Sequence, residues 1–255
     1  MGLLDLDSQS KTLNSQSKIS IIVPTLNEAA NIQRTLAKAK ESINTEIIVV
    51  DGGSQDQTVD IAREMGVQTL TTKAGRGNQM NAGALVATGE IFIFLHADTL
   101  LPNRFDAIVR QALSEEGAIA GAFELKIDSS EPCLRLIEKG ANWRARLLLL
   151  PYGDQAIFVS ASIFKNIGGF ADMPIMEDFH FMRKLRPLGK IKIVPYTVLT
   201  SARRWQKLGV LKTTLLNQLV IIAYFLGVPP HLLADWYRRG GYFCKSESNF
   251  SSDSP

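Results

Sequence analysis

Four short apolar runs punctuate the first hundred residues, and each one gives way to a polar cluster. Residues 19–23 stop at Pro24, and residues 46–50 run into Asp51-Gly52-Gly53. Residues 67–70 precede the loop Lys73-Ala74-Gly75-Arg76-Gly77, and residues 91–95 end at His96-Ala97-Asp98. Short β-branched runs bounded in this way read as strands buried on both faces. The segments between them have helical spacing, with Ile32 and Leu36 four apart on one face. Such alternation predicts an α/β fold with a mainly parallel central sheet, helices on its faces and right-handed crossovers. It also predicts where the chemistry sits, because open α/β sheets bind ligands beyond the carboxyl ends of their strands. Glu28, Asp51, Asp56 and Asp98 all fall there. Locally, Asn27 is placed to cap the first helix, and Ser54 with Gln57 forms a capping box for a helix reaching Met65.

The second half is less regular. Residues 119–127, 156–159 and 191–199 are strand-like, the last interrupted by Pro195. Residues 134–150 carry helical apolar spacing with Arg135, Lys139, Arg144 and Arg146 between. Gly168-Gly169-Phe170 forms a turn before a helix over 176–185 that begins near Glu177-Asp178. The remainder reads as mostly helical until Gly227, Pro229 and Pro230. Neither an internal repeat nor a long linker is present, so a single domain over 18–240 is expected, between polar tails at 1–17 and 241–255.

Composition narrows the partners. The 255 residues carry 28 basic and 25 acidic side chains, a net charge of +3, which argues against a dedicated nucleic-acid binder. Cys133 and Cys244 are too few and too far apart for a disulfide scaffold or a thiolate metal cluster, and they fit a reducing, cytoplasmic compartment. The first 17 residues lack the apolar core of a secretory signal, and Met1-Gly2 is a poor acylation signal. Residues 213–234 contain no charged side chain, but Asn217, Gln218, Pro229, Pro230 and His231 interrupt them. A membrane span is disfavoured there. Core packing is one reading of that stretch, and peripheral contact with an anionic membrane is the other.

Taken singly, the polar clusters leave structural and chemical readings open. Val23-Pro24-Thr25-Leu26-Asn27-Glu28 can end a strand and cap a helix, or line a ligand. The glycines after Asp51 permit close backbone approach, and the Asp51 carboxylate can accept from a base or ribose. Dinucleotide-binding GxGxxG and phosphate-binding GxxxxGK[ST] patterns are both missing, so Lys73 and Arg76 are either phosphate contacts or a solvated basic loop. Asp98 can hold a hard divalent cation, with phosphate oxygens completing the shell. His96, His180 and His231 share no zinc-ligand spacing. Asp154 either orients a hydroxyl or caps a turn. Glu177-Asp178 can serve a helix dipole or supply a general base. Arg203-Arg204-Trp205 is a surface turn or a pyrophosphate grip.

In their joint order and spacing, VPTLNE, DGGSQD, the acidic strand tip, GGF followed by ED, and the late RW pair resemble the family-2 glycosyltransferases of GT-A fold. Among these the chain is similar to the small bacterial group associated with radical-SAM/selenoprotein-like domains, over about residues 19–240. The resemblance implies an inverting, metal-dependent transferase with a nucleotide-binding half (18–100), an acceptor and catalytic half (101–240) and a helical C-terminal elaboration. Its donor would be a nucleoside-diphosphate sugar, usually of UDP, and its acceptor a saccharide or lipid-linked hydroxyl. Pro24, Thr25, Glu28 and Gly53 would lie beside the nucleotide and Asp51 would recognise the base. Arg76 would face phosphate, Asp98 would hold Mg²⁺ or Mn²⁺, Asp178 would be the catalytic base, and Arg204 and Trp205 would lie near diphosphate and acceptor. His96 stands where such a motif usually has its first aspartate, and Ser201 where it has glutamine. A nucleotidyltransferase acting on a sugar phosphate and a non-catalytic sugar-nucleotide binder are the competing readings.

Overall fold

The strand at Ile19–Thr25 (β1) is buried at all seven positions, as a parallel strand covered on both faces must be. The computed structural model describes residues 13–239. Residues 1–12 of the expected tail 1–17 and all of the expected tail 241–255, with Gly2 and Cys244, lie outside the described residues, as does residue 240. After β1 come α1 (Ala29–Ala39), β2 (Thr45–Asp51), α2 (Thr58–Glu64), β3 (Gln68–Thr71), α3 (Arg76–Val86), β4 (Ile91–Phe94), β5 (Thr99–Leu100) and α4 (Phe105–Ser114). The chain continues through β6 (Ala118–Asp128), α5 (Pro132–Leu148), a 3₁₀ turn (Gly153–Gln155), β7 (Phe158–Ser160), α6 (Ala161–Asn166), α7 (Glu177–Leu185) and β8 (Lys190–Ser201). It closes with α8 (Arg203–Leu208), α9 (Val210–Phe225) and α10 (Pro230–Arg239).

The eight strands form one sheet in the order β3-β2-β1-β4-β7-β6-β8-β5. β1, β2, β3 and β4 are mutually parallel. β7 runs antiparallel to both β4 and β6, and β5 antiparallel to β8, so six strands share one direction and two are reversed. The sheet is therefore α/β and mainly parallel. Pro195 does not break β8. It sits where Ala122 pairs with Ile193 but Glu124 pairs with Thr197, so the extra residues bulge out and the missing N–H costs no ladder bond.

Two helix starts differ from the local expectations. Asn27 has φ +55° and its side chain accepts from Gln55 N instead of capping α1. Asp56 takes over both ends: its carboxylate accepts from Ala29 N at the start of α1 (3.1 Å) and from Thr58 N at the start of α2 (3.0 Å). α2 accordingly begins at Thr58, and Ser54 serves the preceding turn. Hydrogen bonding from Thr58 first, and from Ala29, holds the Asp56 carboxyl below its usual range.

The described residues divide into two compact units, 13–172 with 177–201, and 173–176 with 202–239. The first contains the whole sheet. One face of its core gathers Ile21, Val23, Ile32, Leu36, Val49, Ile93, Phe105, Phe123 and Phe158. Elsewhere in the unit an aromatic cluster joins Phe94 of β4, Phe164 of α6, Phe170 and Phe181 of α7, with Phe170 at 4.7 Å from Phe94 and 4.4 Å from Phe181 between ring centroids. Such ring pairs add about 0.5–1.5 kcal/mol each beyond area burial. The cluster fixes α7 beside β4, and with it the Glu177-Asp178 pair beside the tip of β4. In the second unit α9 and α10 pack together, with Val220, Leu233 and Ala234 buried. Among the described residues no helix is long and apolar enough to cross a membrane.

Candidate active site at the carboxyl ends of the strands

β1 and β2 end side by side, with Pro24 opposite Val50 and Thr25 opposite Asp51. Asp51 is 2% exposed, and its carboxylate accepts from the N–H groups of Gly53 (2.8 Å) and Ser54 (2.9 Å), from the Ser54 hydroxyl, and at 3.5 Å from the Thr25 hydroxyl. Gly53 adopts φ +96°, a conformation an L side chain would strain, with open space where a Cβ would stand. Glu28 flanks this turn at the start of α1, where its backbone N–H donates to Thr58 Oγ1 and its carboxylate accepts from Asn31. Gln79 of α3 ties the edge together. It is 4% exposed and donates to the carbonyls of Thr25 and Val50, both at 2.8 Å. Nothing in the sequence of α3 distinguishes Gln79 from its polar neighbours Asn78 and Asn81.

Beyond β4 the polar groups converge. Arg76, His96, Gly153 and Asp178 line one cavity with Met80, Phe94, Ile157 and Phe170. Arg76 and Asp178, 102 positions apart in sequence, thus share a wall. Asp178 Oδ2 accepts from Gly153 N at 2.6 Å, and Oδ1 from Phe179 N at 2.7 Å. Gly153 sits so close that an added Cβ would lie 2.9 Å from His96 Nε2 and 3.2 Å from Asp178 Oδ2. Arg76 Nη1 is 3.4 Å from Glu177 Oε1, whose side chain is only 4% exposed. Burial raises the Glu177 carboxyl above its usual range, Arg76 opposes the rise and Asp178 adds to it.

Three buried atoms at this end have no hydrogen-bond partner among the described residues: His96 Nε2, Asp154 Oδ1 and Glu177 Oε1, the last of which faces Arg76 as an ion pair. Burial, with the Arg76 cation second, pushes the His96 imidazole down to about 3, so it is neutral. Burial pushes Asp154 up to about 6. Arg144 and Arg76 pull the other way, while Asp178 and Asp98 reinforce the rise. Arg144 stacks 3.5 Å over the Tyr152 ring, and burial raises the Tyr152 hydroxyl above its usual value. An unpartnered buried acceptor costs about 1–3 kcal/mol, which a ligand donor can recover.

Asp98 stands just past β4, partly exposed. Among the described residues no three His, Cys, Asp or Glu side chains come together as a metal site. The described residues thus form no all-protein metal cage, and a Mg²⁺- or Mn²⁺-type ion beside Asp98 would take most of its oxygens from phosphate and water. Arg204 and Trp205 belong to the second unit, in α8. There the Arg204 guanidinium lies 3.8 Å over the Tyr237 ring, and Trp205 Nε1 is buried without a hydrogen-bond partner among the described residues.

The family model for glycosyl transferase family 2 matches residues 20–170. The 4,4'-diaponeurosporenoate glycosyltransferase of Staphylococcus haemolyticus is 33% identical over 119 residues, 42% of this chain and 32% of that protein. The probable glycosyltransferase YdaM of Bacillus subtilis is 27% identical over 202 residues, 68% of this chain and 47% of that protein. The chain thus spans about a third to a half of the length of these curated relatives. Among solved structures, the mannosyltransferase PcManGT of Pyrobaculum calidifontis, in complex with GDP-Man and Mn²⁺, aligns with a TM-score of 0.59 at 18% identity, covering 89% of this chain and 71% of that one. S. aureus TarS 1–349 in complex with UDP-GlcNAc aligns with a TM-score of 0.60 at 18% identity, over 72% and 58%. The sheet order, the polar groups gathered beyond β1, β2 and β4, and the family match agree: this chain belongs to glycosyl transferase family 2 and has the GT-A fold.

Proposed function

We propose that the chain is an inverting glycosyltransferase that moves a sugar from a nucleoside-diphosphate donor, with UDP as the nucleotide, to an acceptor hydroxyl on a saccharide or a lipid-linked carrier. The observation that carries this reading is Asp178. Its carboxylate is fixed by two backbone N–H groups, at 2.6 and 2.7 Å, on the wall of a cavity it shares with Arg76. Each carboxylate oxygen keeps a lone pair for a further donor. A hydroxyl seated there would pass its proton to Asp178 as its oxygen attacks the anomeric carbon. The bond from that carbon to the diphosphate oxygen would break on the opposite face, which inverts the centre.

Charge then grows on the departing diphosphate. Arg76, at the amino end of α3, offers a guanidinium fork and the positive end of a helix dipole to it. Pro24, Thr25, Glu28, Asp51 and Gly53 would hold the nucleoside at the ends of β1 and β2. Asp98 would hold Mg²⁺ or Mn²⁺ jointly with the diphosphate, and such an ion supplies Lewis-acid stabilisation of the leaving group. Arg204 and Trp205 are assigned to diphosphate and acceptor on the family resemblance, and Arg204→Ala and Trp205→Ala test that assignment through their effect on KM.

The experiment is a panel of nucleotide sugars and acceptors assayed for nucleoside diphosphate release, with and without Mn²⁺. Asp178→Asn should lose transfer by about 10²–10⁴ while nucleotide affinity stays within a few-fold. Equal loss of affinity and turnover would remove Asp178 from the role of base. Release of pyrophosphate from a nucleoside triphosphate would instead identify a nucleotidyltransferase.

A further inference from the structure

α9 is apolar on nearly every side, with the sequence VLKTTLLNQLVIIAYF, yet only Thr213 and Val220 are buried. Leu211, Leu215, Leu219, Ile222 and Leu226 follow one another at helical spacings of three and four, so they form a continuous stripe. Their exposures are 80, 62, 61, 55 and 78%, and Phe225 beside them is 61% exposed. A helix that is hydrophobic all round belongs in a core or in lipid, not in water. Core packing was one expectation for this stretch, and these exposures set it aside for the stripe.

Charge decides what covers it. Between Ala202 and Arg238 the chain carries Arg203, Arg204, Lys207, Lys212 and Arg238 against the single acid Asp235. None of the residues of α8 or α9 is acidic. Two copies meeting through this face would bring like charges together, whereas an anionic bilayer surface complements them. With 16 residues α9 measures about 24 Å, at 1.5 Å per residue, and falls short of a span. Trp236 of α10 is 51% exposed and has the amphipathic ring favoured at headgroup level.

We propose that the exposed stripe of α9 is a membrane-docking face that lies in the surface of an anionic bilayer, with Lys207 and Lys212 reaching its headgroups. Such placement fits an acceptor carried on a lipid, but the docking stands or falls separately from the catalytic role of the first unit.

The test sediments the full chain with vesicles of phosphatidylcholine alone and of phosphatidylcholine with phosphatidylglycerol. The chain should pellet with the anionic vesicles and stay largely in solution with the neutral ones, with binding weakened by added salt. Leu215→Ser/Leu219→Ser/Ile222→Ser should abolish pelleting at an unchanged melting temperature, since these side chains are exposed. Lys207→Gln/Lys212→Gln should weaken partitioning by about ten- to thirty-fold on anionic vesicles only. Absence of pelleting, or pelleting that the triple variant retains, overturns the proposal. So does a dimer seen by light scattering that the triple variant dissolves, which would make a second copy the occupant.

Discussion

At the amino ends of β1, β2 and β4, Glu46 is surrounded by donors. Lys18 Nζ and Thr88 N reach it at 2.8 and 2.7 Å, with Ser20 Oγ and Gly89 N alongside. Nearby, Arg110 donates to the carbonyls of Ser17 and Ile43 and to Asp106 at 2.9 Å. At the carboxyl ends of the same sheet, His96 Nε2 and Asp154 Oδ1 are buried with no partner among the described residues, and the charges of Asp178 and Asp98 add to the rise that burial imposes on the Asp154 carboxyl. The two ends have opposite electrostatics. Burial alone would raise the Glu46 carboxyl, but its donors bring it down to about 2, whereas burial and like charge raise Asp154 to about 6. Glu46 and Arg110 at one end are held by several partners and stabilise the fold. At the other end Asp51 is held in the same way, while His96 and Asp154 keep buried atoms open to a ligand.

The largest expected effect breaks the comparison at its functional end: Asp178→Asn should lose about 10²–10⁴ in turnover while the chain still folds, its stability lowered by about 1–3 kcal/mol because the amide keeps one of the two backbone N–H partners. Next comes Arg110→Met at the opposite end, which strands Asp106 and the carbonyls of Ser17, Ile43 and Asn44. It should cost about 3–5 kcal/mol in denaturant unfolding, with turnover per folded molecule unchanged.

Glu46→Gln should cost less, about 1.5–3 kcal/mol near neutral pH. Its pH dependence has a definite sign. The Glu46 carboxyl is lowered in the folded chain, so its contribution is present above the unfolded value of 4.5 and is lost as pH falls toward 2. Melting curves of Glu46→Gln and the parent should therefore converge in acid. Asp154 has the reverse sign. Between pH 3.8 and about 6 the unfolded chain has released this proton while the folded chain keeps it, so stability falls as pH rises through that window. Asp154→Asn should melt higher than the parent above pH 6 and match it below pH 4. A matching curve at every pH would show that Asp154 finds a donor in the apo protein.

Much of this architecture was legible because buried parallel strands are written as continuous apolar runs. Residues 19–23 and 91–95 announce β1 and β4, and the polar residues after them lie at the sheet's carboxyl edge. What sequence spacing concealed depends on contacts between distant segments. Gln79 reaches back to Thr25 and Val50, Asp56 caps two helices at once, and the Gly153 N–H holds a carboxylate 25 positions away. The two-residue β5 is too short to leave a pattern, and Pro195 is tolerated only because a bulge receives it. Hydropathy marked residues 213–234 as apolar but carried no information on whether anything packs over them.

One paired measurement bears most directly on the contrast between the two ends: thermal melting and nucleoside diphosphate release, recorded together for Glu46→Gln and Asp178→Asn. The account predicts that Glu46→Gln melts lower and keeps its turnover per folded molecule, while Asp178→Asn stays folded and loses turnover per folded molecule. The opposite assignment, with Asp178→Asn keeping its turnover per folded molecule and Glu46→Gln inactive though folded, would contradict it.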